Sequence, residues 1–471
     1  MELLQCATPP ISHRADPLGR MLFALAVLAL ALAPTQITLP HLPVSPAELL
    51  LGVAGLVWAL RWLRLRDSSS LPPFVNWLLV IACAVSVLGV FSDQVPMPGD
   101  KGEFLKDFAK MLLYPIVGFT IFRATLTTPA RLRTAVIALL LGATLAVGLG
   151  VAQRLLLQTH YQPDATLRSV FMHQTPRAYL TTETPIEVSA TFGSWDKKGF
   201  HASRTAYAAF LALALPFALV LLITERRRTG IVAWISVLFL GAAASVLAGF
   251  IAPAILLGLL VTGFALGRQT GRAVLLGVLC YVALLLLVGG HNRTEILQEP
   301  FRLQISATDA GNPNFRYDGV RHLKKFWGEQ CAALNLLRGT RYVAAPALFG
   351  VGLGQYQKNI QEGYGGLSEV TNQRLESDAQ NGYLLMTVSC GIFGLAAFLA
   401  LCWAYLATAW RQARAPERSP WSAAVLGALV ALVVMTLATN PWVRGNALLV
   451  AAVLALTLNI ATFAPVARIT K

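Results

Sequence analysis

Apolar runs of about 20 residues recur along almost the whole of this 471-residue chain, separated by short basic stretches. Hydrophobic residues make up 56% of the sequence and charged residues only 13%, which is about half the charged fraction of a typical soluble protein. In a lipid bilayer such a run spans the hydrocarbon core as a helix, because a helix satisfies its own backbone hydrogen bonds. The pattern predicts an all-α, polytopic membrane protein.

The hydropathy pattern predicts about twelve membrane-spanning helices. Their expected ranges are 20–38, 46–63, 75–91, 108–123, 134–156, 204–224, 231–248, 251–267, 273–290, 382–409, 421–439 and 445–464. The fourth is the weakest, because Asp107 and Lys110 lie at its start. The first is not expected to be a cleaved signal peptide, since a small-residue cleavage site does not follow it and Pro34 interrupts it.

Basic residues are concentrated on alternate connections between the predicted spans. On the side that holds the N-terminus they are Arg14, Arg20, Arg61, Arg64, Arg66, Arg123, Arg131, Arg133, Arg226, Arg227, Arg228, Arg268, Arg272, Arg411, Arg414, Arg418, Arg468 and Lys471. Because basic residues mark cytoplasmic loops, this predicts a multi-pass protein of the bacterial inner membrane with both termini in the cytoplasm. The net charge of +15 then reflects topology, and nucleic acid is not an expected partner.

Two long connections fall on the opposite, periplasmic side of this topology, at residues 157–203 and 291–381. The chain is therefore expected to have three parts. Residues 1–290 form a first membrane part with the 157–203 loop, residues 291–381 form a large periplasmic loop, and residues 382–471 form a second membrane part. The larger loop is rich in aromatic residues, which predicts an ordered, partly helical segment.

Apolar residues at near-helical spacing within the larger loop predict an amphipathic helix at the outer membrane boundary. Its apolar set is Val320, Leu323, Phe326, Trp327, Ala333, Leu334 and Leu337. Arg321, Lys324 and Lys325 lie among these residues. The cations are either simply solvated, or they belong to a lid that contacts the headgroup of a phosphorylated lipid.

Cysteine and histidine residues do not form a recognisable metal or disulfide pattern. Cys83, Cys280, Cys390 and Cys402 lie in apolar runs and are expected to be small core residues. The histidines are scattered, and neither a pair at helical spacing nor a CxxC motif occurs in the sequence. We expect no metal and no cofactor.

Two motifs stand out in the second half of the chain. The first is GVGLGQY at 350–356, whose glycines permit tight turns and close backbone packing. The second is DAQNGYL at 378–384, which is followed by GIFG at 391–394. A helix starting near Asp378 would present free N-terminal amides to the outer boundary, where they favour an anion. Alternatively, Asp378 only caps this helix.

These motifs resemble the O-antigen ligase/polymerase superfamily, which includes lipopolysaccharide O-antigen ligases and polysaccharide polymerases. The resemblance covers roughly residues 316–400. It is supported by the order of twelve spans with a large outer loop before the tenth. It implies a GT-C-like, metal-independent membrane glycosyltransferase. The donor would be a glycan on undecaprenyl diphosphate. The acceptor would be another lipid-linked glycan in a polymerase, or lipid A–core in a ligase.

Cations are expected to neutralise the diphosphate leaving group. Arg154 and Arg204 lie at the outer ends of the fifth and sixth spans, where ionisable residues are either functional or snorkel to the headgroups. Arg316 and Arg321 lie where the family has a loop arginine, and a planar guanidinium suits phosphate oxygens. The complete predicted binding set is Arg154, Arg204, Arg316, Arg321, Lys324 and Asn381.

The sequence departs from the family at both of its usual catalytic positions. Gln380 replaces the histidine that precedes Asn381, and glutamine cannot take a proton at neutral pH. The stretch 249–253 lacks the family's Ser-Arg pair. Asp378 or Glu376 is therefore expected to act as the base, with Gln380 as a hydrogen-bond partner. Alternatively, the site works by positioning and leaving-group stabilisation alone. The missing histidine favours a polymerase over a ligase.

Two other functions fit a membrane protein of this kind. A transporter or flippase for a lipid or glycan would predict ionisable residues near the middle of several spans, whereas the charges here gather at span ends. A non-catalytic scaffold of polysaccharide assembly would account for the altered catalytic positions. Glycan synthesis that survives deletion of the gene would favour the scaffold.

Overall fold

The computed structural model describes most of the predicted membrane part of the chain and only short pieces of the large loop. The described residues are 16–34, 45–65, 70–92, 112–158, 204–224, 251–289, 330, 333–334, 336–337, 346–353, 381–416, 418–442 and 444–463. Regular structure within these residues is entirely helical, without a strand. The prediction of an all-α fold is therefore confirmed.

Most of the described residues belong to helices. They are α1 (Pro17–Leu32), α2 (Pro46–Leu65), α3 (Phe74–Ser92), a π-helical turn (Leu113–Gly118) that continues as α4 (Phe119–Thr125), α5 (Pro129–Gln158), α6 (Arg204–Thr224), α7 (Ala252–Leu266), α8 (Arg268–Gly289), the short α9 (Pro346–Phe349), α10 (Gly382–Arg414), α11 (Pro420–Met435), α12 (Arg444–Asn459) and a 3-10 turn (Ile460–Thr462).

Every predicted span except 231–248 coincides with a helix, and 231–248 lies outside the described residues. The predicted end of the first span is wrong, because α1 ends at Leu32. Ala33 still has helical φ and ψ, but its amide donates to the Leu30 carbonyl three residues earlier, and Pro34, which has no amide proton, cannot continue the hydrogen-bond pattern. The eleventh span also ends early, at Met435, because the chain then enters a turn that packs on the start of α10.

Two helices of the described chain, α2 and α10, have the length and hydropathy needed to cross a membrane. The described parts of α1, α3, α6, α7, α11 and α12 provide shorter apolar helices. Large apolar side chains on α2, α8 and α10 are exposed, among them Leu56, Leu276 and Trp403. The helices thus bury one face inside the protein and leave an apolar face outward.

Helices α6, α11 and α12 form the centre of the bundle, and they are buried along most of their length. Helix α7 crosses α11 closely at two glycines. A Cβ atom on Gly427 would overlap the hydroxyl of Thr262, and one on Gly258 would meet Ala431 Cβ at 3.0 Å. Small residues at a crossing allow this approach of two backbones, which is the usual way that helices pack inside membranes.

A buried polar network fixes the π-helical turn in place. Pro115 has no amide proton to donate, and proline is a common cause of irregular turns in helices. Asn76 on α3 donates its Nδ2 to the carbonyl oxygen of Pro115 at 3.2 Å. Tyr405 on α10 donates its hydroxyl to Asn76 Oδ1 at 2.6 Å. The network therefore connects α3 and α10 to the turn in the middle of the fourth predicted span.

Arginine side chains connect helix ends at one end of the bundle. Arg61 at the end of α2 pairs with Asp16 before α1, with Nε and Oδ2 2.6 Å apart. Arg123 in α4 is 5% exposed and donates Nη1 to Asn459 Oδ1 at 2.9 Å. Asn459 in turn donates Nδ2 to the carbonyl oxygen of Leu126 at 2.8 Å. Arg61 and Arg123, two of the arginines predicted on the cytoplasmic side, thus serve as structural contacts between separate elements.

Three cysteines in the described chain are buried, as predicted. Cys83 on α3 and Cys390 on α10 lie 3.9 Å apart between their sulfur atoms, and Cys402 is also buried. The same prediction is wrong for Cys280, which is exposed on α8. Its helix presents an apolar outward face, so hydropathy alone did not separate a core position from an outer one.

The Asp16–Arg61 pair predicts a pH-dependent stability. Burial raises the pKa of the Asp16 carboxyl, but the hydrogen bonds from Arg61 and from the Gly19 amide outweigh it and leave this pKa below 3.8. The carboxylate therefore stabilises the fold above pH 3.8, and this stabilisation is lost as the pH falls through the lower, folded-state pKa.

We expect Asp16→Asn, which retains the cap on α1 but not the charge, to lower the free energy of unfolding at pH 7 by about 0.5–1 kcal/mol. The difference from the wild type should shrink as the pH is lowered below 3.8. Thermal melting of the detergent-solubilised protein between pH 7 and pH 3 measures it. A difference that grows towards low pH would contradict the assignment of the charge effect to this pair.

Candidate functional site at the start of helix α10

The backbone of the glycine motif packs on the first part of α10. Gly350 and Gly352 have positive φ values of 79° and 99°. The Val351 amide donates to the Val388 carbonyl at 2.7 Å, and the Gly352 amide donates to the Ser389 carbonyl at 3.0 Å. The predicted close packing of this motif is confirmed for Gly350 and Gly352, while Gly354 lies outside the described residues.

The two carbonyl groups are available because α10 is broken at Gly391. This residue has φ 68° and ψ −170° in the middle of the helix. In a continuous helix the carbonyls of Val388 and Ser389 would accept from amides four residues later. The break interrupts this pattern, and the two amides of the glycine motif take over as donors.

The break also makes room for the short helix α9. A Cβ atom on Gly391 would overlap the carbonyl oxygen of Leu348, and one on Gly350 would overlap the backbone of Ser389. The rings of Phe349 and Phe393 lie 6.0 Å apart between their centroids. The glycine motif at 350–356 and the GIFG motif at 391–394, which are distant in sequence, therefore meet at one place.

The C-terminal end of the predicted amphipathic helix packs against the contact between the glycine motif and α10. Ala333 and Leu336 are buried together with Val351 and Val388. Residues 330, 333, 334 and 336 are helical, so the predicted helix is confirmed at these positions, and its location at the outer membrane boundary stays a prediction. Leu334 points outward and is exposed. The basic residues Arg321, Lys324 and Lys325 lie outside the described residues, so the choice between a solvated helix and a lid stays open.

Asn381 caps α10, which begins at Gly382. The Oδ1 atom of Asn381 accepts from the amides of Tyr383 and Leu384, both at 3.1 Å. The Gly382 amide donates to the Thr436 carbonyl at 2.7 Å. The predicted helix start near Asp378 is therefore wrong. Gly382 fits tightly against the turn after α11, and Asn381 is as good a capping residue as aspartate.

The amides at the start of α10 are all occupied. Those of Gly382, Tyr383 and Leu384 have the acceptors described above, and the Leu385 amide donates to the Asn381 carbonyl at 2.8 Å. The expectation that free amides at this helix start would attract an anion is therefore wrong. Recognition of a diphosphate here would have to come from cationic side chains.

Three aromatic side chains line the interior next to this helix start, and sequence reasoning had selected only one of them, Tyr383 of the second motif. Tyr383 donates its hydroxyl to the Val433 carbonyl at 2.8 Å. Its ring lies 5.7 Å from that of Phe398, and the Phe398 ring lies 6.3 Å from that of Trp442. Phe398 lies within α10 and Trp442 lies in the turn before α12, so a local sequence pattern does not connect them. Through these contacts, α10 packs against α11 and against the turn that leads into α12.

The structure places only part of the predicted site. Arg154 lies near the end of α5 and Arg204 is the first residue of α6, two helices that are in contact. Asn381 has the structural role of a helix cap. The other predicted residues lie outside the described part of the chain, and they are Glu376, Asp378, Gln380, Arg316, Arg321 and Lys324. Among the described residues, a group of three or more potential metal ligands is absent.

Comparisons with known proteins do not assign the chain to a group. No protein-family model matches it, and no curated protein is significantly similar to it. The functional argument therefore rests on the residues themselves and on their arrangement.

Proposed function

We propose that this protein is a polytopic membrane glycosyltransferase that acts at the periplasmic face of the bacterial inner membrane. It transfers a glycan from an undecaprenyl-diphosphate-linked donor to an acceptor glycan, in the manner of the O-antigen ligase/polymerase superfamily. One observation carries the proposal. The motifs on which the resemblance depends, at 350–356 and 391–394, lie together, joined by backbone hydrogen bonds to Val388 and Ser389.

The membrane setting is supported by how side chains are distributed over the bundle. Outward faces of α2, α8 and α10 carry large apolar side chains, which a bilayer would cover. Trp62 and Trp410 are partly exposed near helix ends that also carry arginine. Tryptophan and arginine together are typical of a cytoplasmic membrane interface. About twelve spans with both termini in the cytoplasm are the topology that accommodates these features.

The chemistry we propose needs a leaving group, a nucleophile and a base. An acceptor hydroxyl oxygen forms a bond to the anomeric carbon of the donor, and the bond from that carbon to the diphosphate oxygen breaks. Arg154, Arg204 and a loop arginine, Arg316 or Arg321, stabilise the departing diphosphate. Asp378 or Glu376 takes the hydroxyl proton, and Gln380 orients the acceptor by hydrogen bonding. The reaction balances without a metal.

The ordered start of α10 gives this site a fixed support. The proposed groups at 376, 378 and 380 precede Asn381 by at most five positions. Asn381 is fixed by hydrogen bonds to the first turn of α10, and Gly382 is fixed by its hydrogen bond to the Thr436 carbonyl. Catalytic groups must be held within a fraction of an ångström of a productive position. A capped helix start that is tied to the turn after α11 supplies such an anchor.

The glycan profile of cells that lack the gene tests this function. We expect deletion to leave either single repeat units, which indicates a polymerase, or unattached lipid-linked chains, which indicates a ligase. Polymerase is the favoured outcome because Gln380 stands at the family's histidine position. An unchanged profile would exclude the transferase and favour a transporter, flippase or scaffold.

Complementation with single variants tests the proposed residues. Arg204→Ala, Arg321→Ala and Gln380→Ala are each expected to reduce transfer at least tenfold, as is typical when one group that stabilises a leaving group or orients a reactant is lost. Arg20→Ala is the matched control, since Arg20 is exposed at the opposite end of the predicted topology. Membrane levels of each variant are measured in parallel. Normal transfer by all three variants would contradict the proposed site.

A further inference from the structure

Exposed arginines gather where two turns of the bundle touch. Arg268 and Arg272 lie in the first turns of α8, Arg411 and Arg414 lie in the last turn of α10, and Arg418 lies in the connection from α10 to α11. The Nη2 atom of Arg418 donates to the carbonyl oxygen of Leu266 at 3.4 Å, and its Nη1 donates to the carbonyl oxygen of Ala413 at 2.9 Å. The contact holds the two turns side by side.

All five of these arginines are exposed, and we call them the arginine cluster. In sequence, the segments 266–272 and 411–419 contain one acidic residue between them, Glu417. The cluster therefore has a formal charge of five arginines less one glutamate. Arg61, in contrast, is engaged by Asp16. The positively charged guanidinium groups of the cluster repel one another, and a bound anion would reduce this repulsion.

Apolar surface lies directly beside the arginine cluster. The guanidinium of Arg414 lies over the ring of Trp410, 3.9 Å from its centroid, and Trp410 is 46% exposed. Phe264 on α7 is 49% exposed and packs against Gly271. Cationic groups next to exposed aromatic and aliphatic side chains match a ligand that has an anionic head and an apolar tail.

We infer that the arginine cluster is a binding site for the headgroup of an anionic phospholipid in the cytoplasmic leaflet. The inference rests on the proposed membrane orientation and is independent of the proposed transfer chemistry. Arginine binds phosphate oxygens through two parallel hydrogen bonds, and basic pockets between helices on the cytoplasmic side bind lipids with several phosphates, such as cardiolipin. Trp410 and Phe264 would contact the acyl chains.

Lipid titration followed by native mass spectrometry tests this site on the full-length protein in detergent. The probes are cardiolipin, phosphatidylcholine and inorganic pyrophosphate. We expect cardiolipin to bind the wild type at least tenfold more tightly than phosphatidylcholine. The double variant R268Q/R272Q is expected to lose about tenfold or more of this affinity. The double variant R20Q/R64Q, which removes two exposed arginines from α1 and α2, should bind like the wild type.

Several results would overturn the inference. Equal affinity for cardiolipin and phosphatidylcholine would show that the site does not recognise an anionic headgroup, and equal losses in the two double variants would show a general charge effect. Tight binding of pyrophosphate would assign the cluster to a soluble phosphate ligand. If R268Q/R272Q does not fold, R272Q/R411Q replaces it under the same criteria. Glycan transfer by these variants, measured separately, is expected to be unchanged, which distinguishes this site from the proposed active site.

Discussion

Replacing Gly391 by valine is expected to prevent stable folding of the second membrane part. Its φ of 68° and ψ of −170° belong to a region of backbone conformation that is essentially restricted to glycine. An added side chain would also overlap the Leu348 carbonyl. Backbone strain and overpacking each cost about 1–3 kcal/mol. Together they approach the whole stability of many domains.

The effect of Gly391→Val is measured by thermal melting and by the fraction of monodisperse protein after extraction in detergent. Gly52→Val is the matched control, because Gly52 lies in α2 with open space around its Cα. It introduces the same side chain into an apolar helix, where valine costs no more than glycine. Equal melting temperatures of the two variants would contradict a break of α10 at Gly391.

Replacing Asn459 by leucine is expected to produce the second largest loss of stability. The Asn459 side chain accepts from Arg123 at 2.9 Å and donates to the Leu126 and Arg123 carbonyls at 2.8 and 3.1 Å. Leucine has a similar volume but cannot replace any of these bonds. Removing one partner of a buried charged group typically costs about 3–5 kcal/mol.

Thr457→Val provides the control for Asn459→Leu. Thr457 is equally buried on α12, and its hydroxyl donates only to the Val453 carbonyl of the same helix. Its loss should cost about 1 kcal/mol. Denaturation of both variants in the same detergent compares them directly. Equal losses would mean that the Arg123–Asn459 contact does not stabilise the junction between α4 and α12.

Hydropathy predicted the helices well because each apolar run is a local property of the chain. The ends of α6 coincide with the predicted range 204–224. Errors occur where tertiary contacts decide the ends. Both Asp378 and Asn381 are suitable caps, and the choice between them follows from the tight packing of Gly382 against Thr436 and Thr439. A local pattern carries no information about that contact.

The candidate site was predictable only in part. The glycine motif was expected to pack closely, and it does so through Gly350 and Gly352. Its partner could not be inferred, because the free carbonyls of Val388 and Ser389 exist only when α10 is broken at Gly391. Arg123 was counted among the cytoplasmic charges, but it is buried against Asn459. Burial of a long side chain depends on helices that are far apart in sequence.

The most direct test of the proposed function is transfer by the purified protein in proteoliposomes. The substrates are an undecaprenyl-diphosphate-linked repeat unit, either alone or with lipid A–core, and the products are extended glycan and free undecaprenyl diphosphate. We predict release of undecaprenyl diphosphate in step with glycan extension, in the presence of a metal chelator, and strongly reduced release by Arg204→Ala. Failure of the folded wild-type protein to release undecaprenyl diphosphate with either acceptor would contradict the account.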